Sequence, residues 1–415
     1  MDNKSKTLKD HRQLGQELDL FSVHDIAPGA IFWHPKGWII YRTLVDFIRS
    51  KIEREGYLEI STPVMVKGAL FKKSGHWDFY NENMFNLLVD EEEYSLKPMN
   101  CPEASLVYST RTRSYHDLPI RLSEFGILHR NELSGVLGGA FRVRQFTIDD
   151  AHHFIRPDQI QKEILDLLSL TSDFYKKLGF KPHFYLATKP EKAMGDVKLW
   201  EEAEKDLGKA LKAAKVKYDV KEKDGAFYGP KIDIHIKDSQ DRDWQLATIQ
   251  LDFQIPERMD LEYIDSDGKP KRPVIVHRAI LGSIERFIGI LLEHYQGSLP
   301  MFLAPLQVAI LPVSKKVEDY SQEVFEKLKN EGIRVELDGS DKPIGAKIRE
   351  ATLQKIPFMC IIGEKEKDKS SESGDLPAGR QAFFVSVRTR EGKDLGEQKL
   401  NAFIESLKKD IEKAK

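Results

Sequence analysis

Apolar residues recur at Ile39, Ile40, Leu44, Phe47, Ile48 and Ile52, a single stripe on a helix spanning 37–55. Gly56 stops that helix, and Tyr57–Ile60 runs extended into Pro63. Upstream, residues 5–20 are polar and weakly amphipathic, and predict a helix broken by Pro-Gly-Ala at 28–30. Residues 121–154 read as a long β-hairpin whose arms flank the Gly/Ser-rich turn 134–139. The stretch 157–215 is charged and mostly helical in pattern. Apolar runs at 244–253 and 273–277 predict buried strands, with His277 closing the second. Residues 279–295 are strongly apolar at helical spacing.

The pattern changes near Ala304-Pro305. Strand, helix, strand, helix and strand follow in turn at 307–313, 317–332, 333–337, 344–355 and 357–363. That alternation predicts a parallel-sheet α/β domain, with Gly332 as a helix stop. The charged stretch 364–379 reads as a solvated loop. The chain as a whole is of the α/β (α+β) class. Its 415 residues suggest two to three domains at roughly 150 residues each.

Composition narrows the function classes only a little. Two cysteines exclude a disulfide framework and make the cytoplasm the default compartment. The first twenty residues carry no apolar stretch of signal-peptide length. No run of 18 apolar residues predicts a membrane-spanning helix. A net charge of −2 weighs against a non-specific polyanion binder but leaves a shaped RNA partner open.

Candidate chemistry gathers on the hairpin. If 142–152 stays extended, Arg142, Arg144, Phe146, Ile148, Asp150 and His152 share one face. On the other arm Glu124, Leu128, Arg130 and Glu132 do the same. One reading is a solvated face with cross-strand ion pairs. The other is a site for a flat, phosphate-bearing ligand, because arginine forks match phosphate oxygens and Phe146 could stack on a base. Downstream, His277 and Arg286 are about 900° apart on a helix and cannot share one face of it. His277 therefore belongs to the strand and Arg286 to the helix that follows. A buried arginine there needs an anion, either a ligand or a structural glutamate. Cys101, His152 and His277 are too far apart in sequence to make a metal signature by spacing.

Three short strings, read together, carry more. EGYLEISTPVM with Pro63, LHRNE with FRVRQF, and GSIERF resemble motifs 1, 2 and 3 of the class II aminoacyl-tRNA synthetases, in order and at domain-scale spacing. DHRQLGQELDLF, SGHWDFY, LKPMNCPE, RVRQFTIDDAHHF, GAFYGPKID and HRAILGSIERFIG resemble the threonyl-tRNA synthetase family in particular. The resemblance covers almost the whole chain. It implies a linker helix at 1–27, an antiparallel-sheet catalytic domain at 28–304 and a smaller α/β anticodon-binding domain at 305–415.

The resemblance also implies roles. Cys101, His152 and His277 match the family's zinc ligands, one ion per subunit, and Mg2+ accompanies ATP. Arg130 bridges the α-phosphate and the L-threonine carboxylate, while Arg142 and Arg286 hold the far phosphate. Phe146 and Arg286 sandwich the adenine, Glu132 reads its amine, and Gln245 lies beside the nucleotide. Asp150, Tyr228 and Gln250 sit near threonine. His76 matches the family residue that helps deprotonate the ribose hydroxyl of the tRNA; a turn histidine beside Trp77 is the plainer alternative. Lys231, in the Gly-Pro-Lys turn, is read toward phosphate or RNA. Glu366 and Arg388, with Arg390 and Lys393, are the anticodon candidates. Residues 305–415 hold 21 Lys/Arg and 20 Asp/Glu, so recognition there depends on placed groups rather than bulk charge.

The expected activity is threonine–tRNA ligation on tRNA(Thr), in a homodimer built through motif 1. The family's linker helix starts near residue 10, which reads as a short form without the N-terminal editing domains. A trans-editing protein then becomes a possible partner. Ile148, Gly138 and Asp341 stand where the family commonly has glutamine, histidine and asparagine. The alternative is a non-catalytic paralogue that binds RNA as a regulator. The presence of Arg130, Arg142 and Arg286 weighs against it.

Overall fold

The hairpin expected at 121–154 lies within an eight-stranded sheet in the computed structural model, which describes residues 8–372 and 382–413. In chain order the strands are β1 (Leu58–Glu59), β2 (Ile120–His129), β3 (Gln145–Ile155), β4 (His183–Ala187), β5 (Tyr218–Lys221), β6 (Lys231–Lys237), β7 (Asp243–Asp252) and β8 (Val274–Ser283). Their order across the sheet is β5-β4-β6-β7-β8-β3-β2-β1. Pairing is antiparallel except for β4 with β5 and β1 with β2 at the two edges. The register sets Glu124 opposite Asp150 and Leu128 opposite Phe146.

Strand alternation gives this sheet two unlike faces. Odd-numbered His153 of β3 meets the helix Ile160–Lys177, with Nδ1 2.9 Å from Glu163 Oε2. That helix buries Ile164, Leu167, Leu168 and Phe174, so its apolar stripe covers the sheet. Even-numbered residues Ile148 and Asp150 line a cavity on the other face.

Several stretches differ from their patterns. The strand expected to close at His277 continues to Ser283, and the helix behind it begins at Ile284. A strand buried on both faces is continuously apolar, so its sequence cannot be told from a buried helix by period. The corner is made at Gly282, whose φ is +68, where an added Cβ would lie 2.8 Å from Leu246 O. Strand β3 begins at Gln145, so Arg142 and Arg144 belong to the hairpin turn and not to its extended face. The helix expected at 5–20 is confined to His11–Glu17 by a capping box at Asp10, and residues 1–7 lie outside the described residues.

By contact, the chain divides into two units. Residues 23–32 and 45–290 form the one just described, and residues 1–22, 33–44 and 291–415 form the other. The second holds a five-stranded sheet of β9 (Val308–Pro312), β10 (Val335–Leu337), β11 (Phe358–Ile362), β12 (Phe384–Thr389) and β13 (Asp394–Lys399). Its order is β10-β9-β11-β12-β13. Strand β9 is parallel to both neighbours, whereas β12 and β13 pair antiparallel, so the sheet is mixed and not purely parallel. The final pair is a hairpin and needs no crossover helix. Val308 and Ile310 pack with Tyr320, Val324 and Phe403 on one face, and Ala309 and Leu311 with Ala351 and Met359 on the other. The stretch expected as a loop at 364–379 opens as a helix, Glu364–Glu372, and 373–381 lie outside the described residues. Charge alone hid that helix. It is anchored by buried Glu366, whose Oε2 accepts the Gly363 N–H at 2.9 Å.

Candidate functional site

Three segments distant in sequence meet at Cys101, His152 and His277. His152 and His277 are cross-strand partners on β3 and β8. Cys101 opens the helix Cys101–Ser109, whose Pro102 suits a first-turn position. One ligand atom from each lies within 4.8 Å of the other two, and all three residues are buried. Burial pushes the Cys101 thiol well up and holds His152 well below the usual histidine range, hence neutral. Among the described residues, His152 Nε2 is buried with no hydrogen-bond partner. An orphaned imidazole nitrogen beside a thiol and a second imidazole fits a metal ion, and the Cys/His/His donor set suits zinc with one position open. His277 Nε2 lies 2.9 Å from Asp252 Oδ2. His76 is fully buried, with Nδ1 2.9 Å from Ser74 Oγ and Nε2 3.8 Å from Cys101 Sγ. Burial lowers the His76 pKa to about 3.

Cys101 and His277 face a cavity of about 360 Å³ that also exposes Arg130, Asp150, Tyr228 and Gln250. Asn100 Nδ2 donates to Asp150 Oδ2 at 3.2 Å, and burial raises the Asp150 carboxyl. Tyr228 OH donates to Gln250 Oε1, and Gln250 Nε2 donates to Thr248 Oγ1 at 3.2 Å. Ile148 contributes an apolar wall. The pocket thus carries a carboxylate, a phenol, an amide and an arginine around a would-be metal, dimensions and chemistry that suit a small amino acid.

Arginines collect next to it. The Arg130 guanidinium stands 5.0 Å from the Phe146 ring centroid and 5.7 Å from that of Tyr80. Arg142 pairs with Glu132 at 2.8 Å. Arg286 Nε donates to Phe141 O at 2.7 Å. Burial, then the charges of Arg130 and Arg142, depress the Arg286 pKa. Three arginines that repel one another against one glutamate make a place for a polyanion. Gln245 is exposed and donates to Asp233 Oδ1 at 2.7 Å, while Lys231 is buried against the same carboxylate.

Some residues that build this site were not singled out from the sequence. Buried Arg278 donates to Asp149 O at 2.8 Å and Oδ2 at 3.1 Å, and Asp149 also accepts the Ile280 and Leu281 N–H groups. Lys97 Nζ donates to Glu124 Oε1 at 2.9 Å and Thr62 Oγ1 at 2.8 Å. Glu285 receives the Thr147 N–H and the Ser283 hydroxyl. The only sequence-level signal for them was a charged residue inside an apolar run.

In the other unit, Glu366 Oε1 accepts from Ser386 Oγ at 2.7 Å. Ser386 and Arg388 share a face of β12 by alternation, so Glu366 and Arg388 flank the same side of the sheet. Among the described residues, Arg388 Nε is buried with no hydrogen-bond partner. Arg390 is instead tied to the Leu299, Ser298 and Lys355 carbonyls. Asp341 pairs with Lys315 at 3.0 Å on the surface.

Residues 85–295 match the family model for the class II tRNA synthetase core domain of the G, H, P, S and T enzymes. Residues 307–410 match an anticodon-binding domain. The chain belongs to the class II tRNA synthetases. Within that class it is similar to threonine–tRNA ligases. It is 52% identical to that of Caldanaerobacter subterraneus subsp. tengcongensis over 97% of its length, and 49% identical to that of Carboxydothermus hydrogenoformans over 97%. It spans 61% and 62% of the length of those two relatives. A crystal structure of the RNA-binding domain of threonyl-tRNA synthetase from Cryptosporidium parvum superposes with a TM-score of 0.91 at 41% identity, covering 97% of this chain and 98% of that one.

Proposed function

We propose that this protein activates L-threonine with ATP and transfers it to the 3′ end of tRNA(Thr). The observation that carries the reading is the buried Cys101/His152/His277 set, of which Cys101 and His277 line the same cavity as Arg130, beside Arg286 and Arg142. We assign residues 1–27 to a linker helix, 28–304 to the catalytic domain and 305–415 to the anticodon-binding domain.

Activation joins the threonine carboxylate oxygen to the α-phosphorus and releases pyrophosphate, so positioning and charge neutralisation dominate. Arg130 holds carboxylate and α-phosphate together. Phe146 and Arg286 sandwich the adenine, Glu132 accepts from its amine, and Gln245 lies at the nucleotide. Arg142 and Arg286 neutralise the leaving phosphates, which Mg2+ accompanies. Asp150, Tyr228 and Gln250 orient the amine and hydroxyl of threonine. Cys101, His152 and His277 would hold one zinc per subunit, which would supply a Lewis acid for recognising the amino acid's polar groups. A site built around that hydroxyl rejects valine by roughly 10⁴–10⁵, whereas serine lacks only a methyl, worth about 1–3 kcal/mol. Serine is therefore the expected error, and a trans-editing protein the partner to seek.

For the transfer step, His76 assists removal of the ribose proton. Ser74 donates its hydroxyl to Phe71 O at 3.3 Å, so its oxygen can accept His76 Nδ1–H, which leaves Nε2 unprotonated beside Cys101 Sγ. Glu366 and Arg388 read anticodon bases by edge contacts. The exposed Leu58 on edge strand β1 supports a second copy of the chain as the covering partner, giving a homodimer. Cys101 and Cys360 as buried free thiols accord with the cytoplasm. Among the described residues no helix is long and apolar enough to cross a membrane.

The test is amino-acid-dependent ATP–pyrophosphate exchange on zinc-quantified protein. Exchange with threonine, weaker exchange with serine and none with valine or proline is the expected result. No exchange with any amino acid, with zinc bound, would turn the reading to the regulatory paralogue.

A further inference from the structure

Asp252 ends β7 in the sheet's interior, with no solvent exposure. Its two oxygens do different things. Oδ1 accepts the N–H groups of Gln254 at 2.7 Å and Ile255 at 3.0 Å, which starts the short helix Gln254–Arg258. Oδ2 faces His277 Nε2 at 2.9 Å. A carboxylate brings no proton to such a contact, so the ring must supply it. The proton on Nε2 leaves Nδ1 with its lone pair available. His277 sits on the neighbouring strand β8, where Gln250, two residues before Asp252, is its register partner.

We infer that Asp252 is the positioning residue for His277, fixing its tautomer and ring angle so that Nδ1 is presented as a metal ligand. The backbone N–H pair on Oδ1 stops the carboxylate from turning away, so the orientation is set by the fold before any ion arrives. Metal-ligating histidines generally depend on such a partner, and its loss lowers metal affinity by about 10–100-fold. The inference rests on the zinc reading given above but concerns a residue which that reading does not use.

Asp252→Asn separates positioning from a merely structural role. Its carbonyl oxygen can still receive both helix N–H groups. Its amide nitrogen then points a donor at His277 Nε2, so the ring relaxes only by moving its proton to Nδ1. The measurements are ¹⁵N-histidine NMR of the metal-free protein and zinc affinity by chelator competition, with thermal denaturation as a check on folding. Expected are a switch of His277 from Nε2–H to Nδ1–H, a loss of zinc affinity of about 10–100-fold, and a melting temperature close to wild type. An unchanged tautomer overturns the inference, whatever happens to affinity, and so does unchanged affinity with a switched tautomer. Should Asp252→Asn fail to fold, Asp252→Glu retains the acceptor and must retain the tautomer, and a switch there overturns the inference equally. Failure of wild-type protein to bind zinc would sink the zinc reading itself, and the tautomer measurement, made without metal, tells the two failures apart.

Discussion

A Cβ on Gly126 would lie 2.2 Å from Oδ1 of Asn100, so these two residues can coexist only because Gly126 has no side chain. Asn100 passes over the strand there and donates to Asp150 across the cavity wall. A glycine in the middle of a strand costs stability on its own, and here it clears the path for a substrate-facing network.

Gly126→Ala should push Asn100 off Asp150. We expect destabilisation of about 1–3 kcal/mol, the usual cost of overpacking. The KM for threonine should rise more than the KM for ATP, because Asp150 faces the amino acid. Thermal denaturation and exchange kinetics with each substrate varied in turn would check both.

Cys101→Ala removes the one sulfur among the three candidate ligands. Zinc should fall below stoichiometric by elemental analysis, and threonine activation should be abolished. Full activity in that variant would end the zinc assignment.

Glu285 is buried, and burial raises its pKa to about 7. An unfolded glutamate ionises near about 4.3, so between that value and about 7 the folded state holds a proton that the unfolded state has released. Folding is therefore progressively disfavoured by this group as pH rises through that window, by at most on the order of 3 kcal/mol, and the loss levels off above it. Glu285→Gln removes the titration. Relative to wild type, its melting temperature should climb as pH goes from 4.5 to 7. A difference that stays flat over that range would show that Glu285 ionises normally.

Arg388→Ala should weaken tRNA charging and spare adenylate formation. A charge-assisted contact to a base edge is worth about 1.5–3 kcal/mol, or tenfold and more in kcat/KM for tRNA. Aminoacylation and pyrophosphate exchange on the same preparation read the two steps separately. Equal loss of both would remove Arg388 from the anticodon side.

Much of the architecture could be read from short-range pattern. The helix stripe at Ile39–Ile52, the hairpin arms of 121–154 and the strand–helix alternation after 305 reflect periods of 3.6 and 2 that burial imposes on any sequence. Asp150 and Phe146 came from the same alternation, because one strand face holds every second residue, whereas Arg130 and Glu132 lie just past the end of β2 at His129 and their roles were reached through the motif strings. The motif strings added the class of chemistry, and with it Cys101, His152 and His277, which no spacing rule would have joined.

Other features depended on the folded chain. Whether 279–283 was strand or helix could not be decided from an apolar run, since burial on both sides erases the period. The register that sets His152 against His277 comes from cross-strand hydrogen bonds between residues 125 positions apart in sequence. The helix at 364–372 is held by Glu366 reaching backbone and Ser386, contacts that its charged sequence does not advertise. The residues that orient the site, Asp252 behind His277 and Asn100 behind Asp150, are polar groups in apolar surroundings. Local sequence determines which elements form, because propensity and period act over a few residues. Which buried proton faces which acceptor is determined only when the strands close on one another, because that choice is made by distance in space.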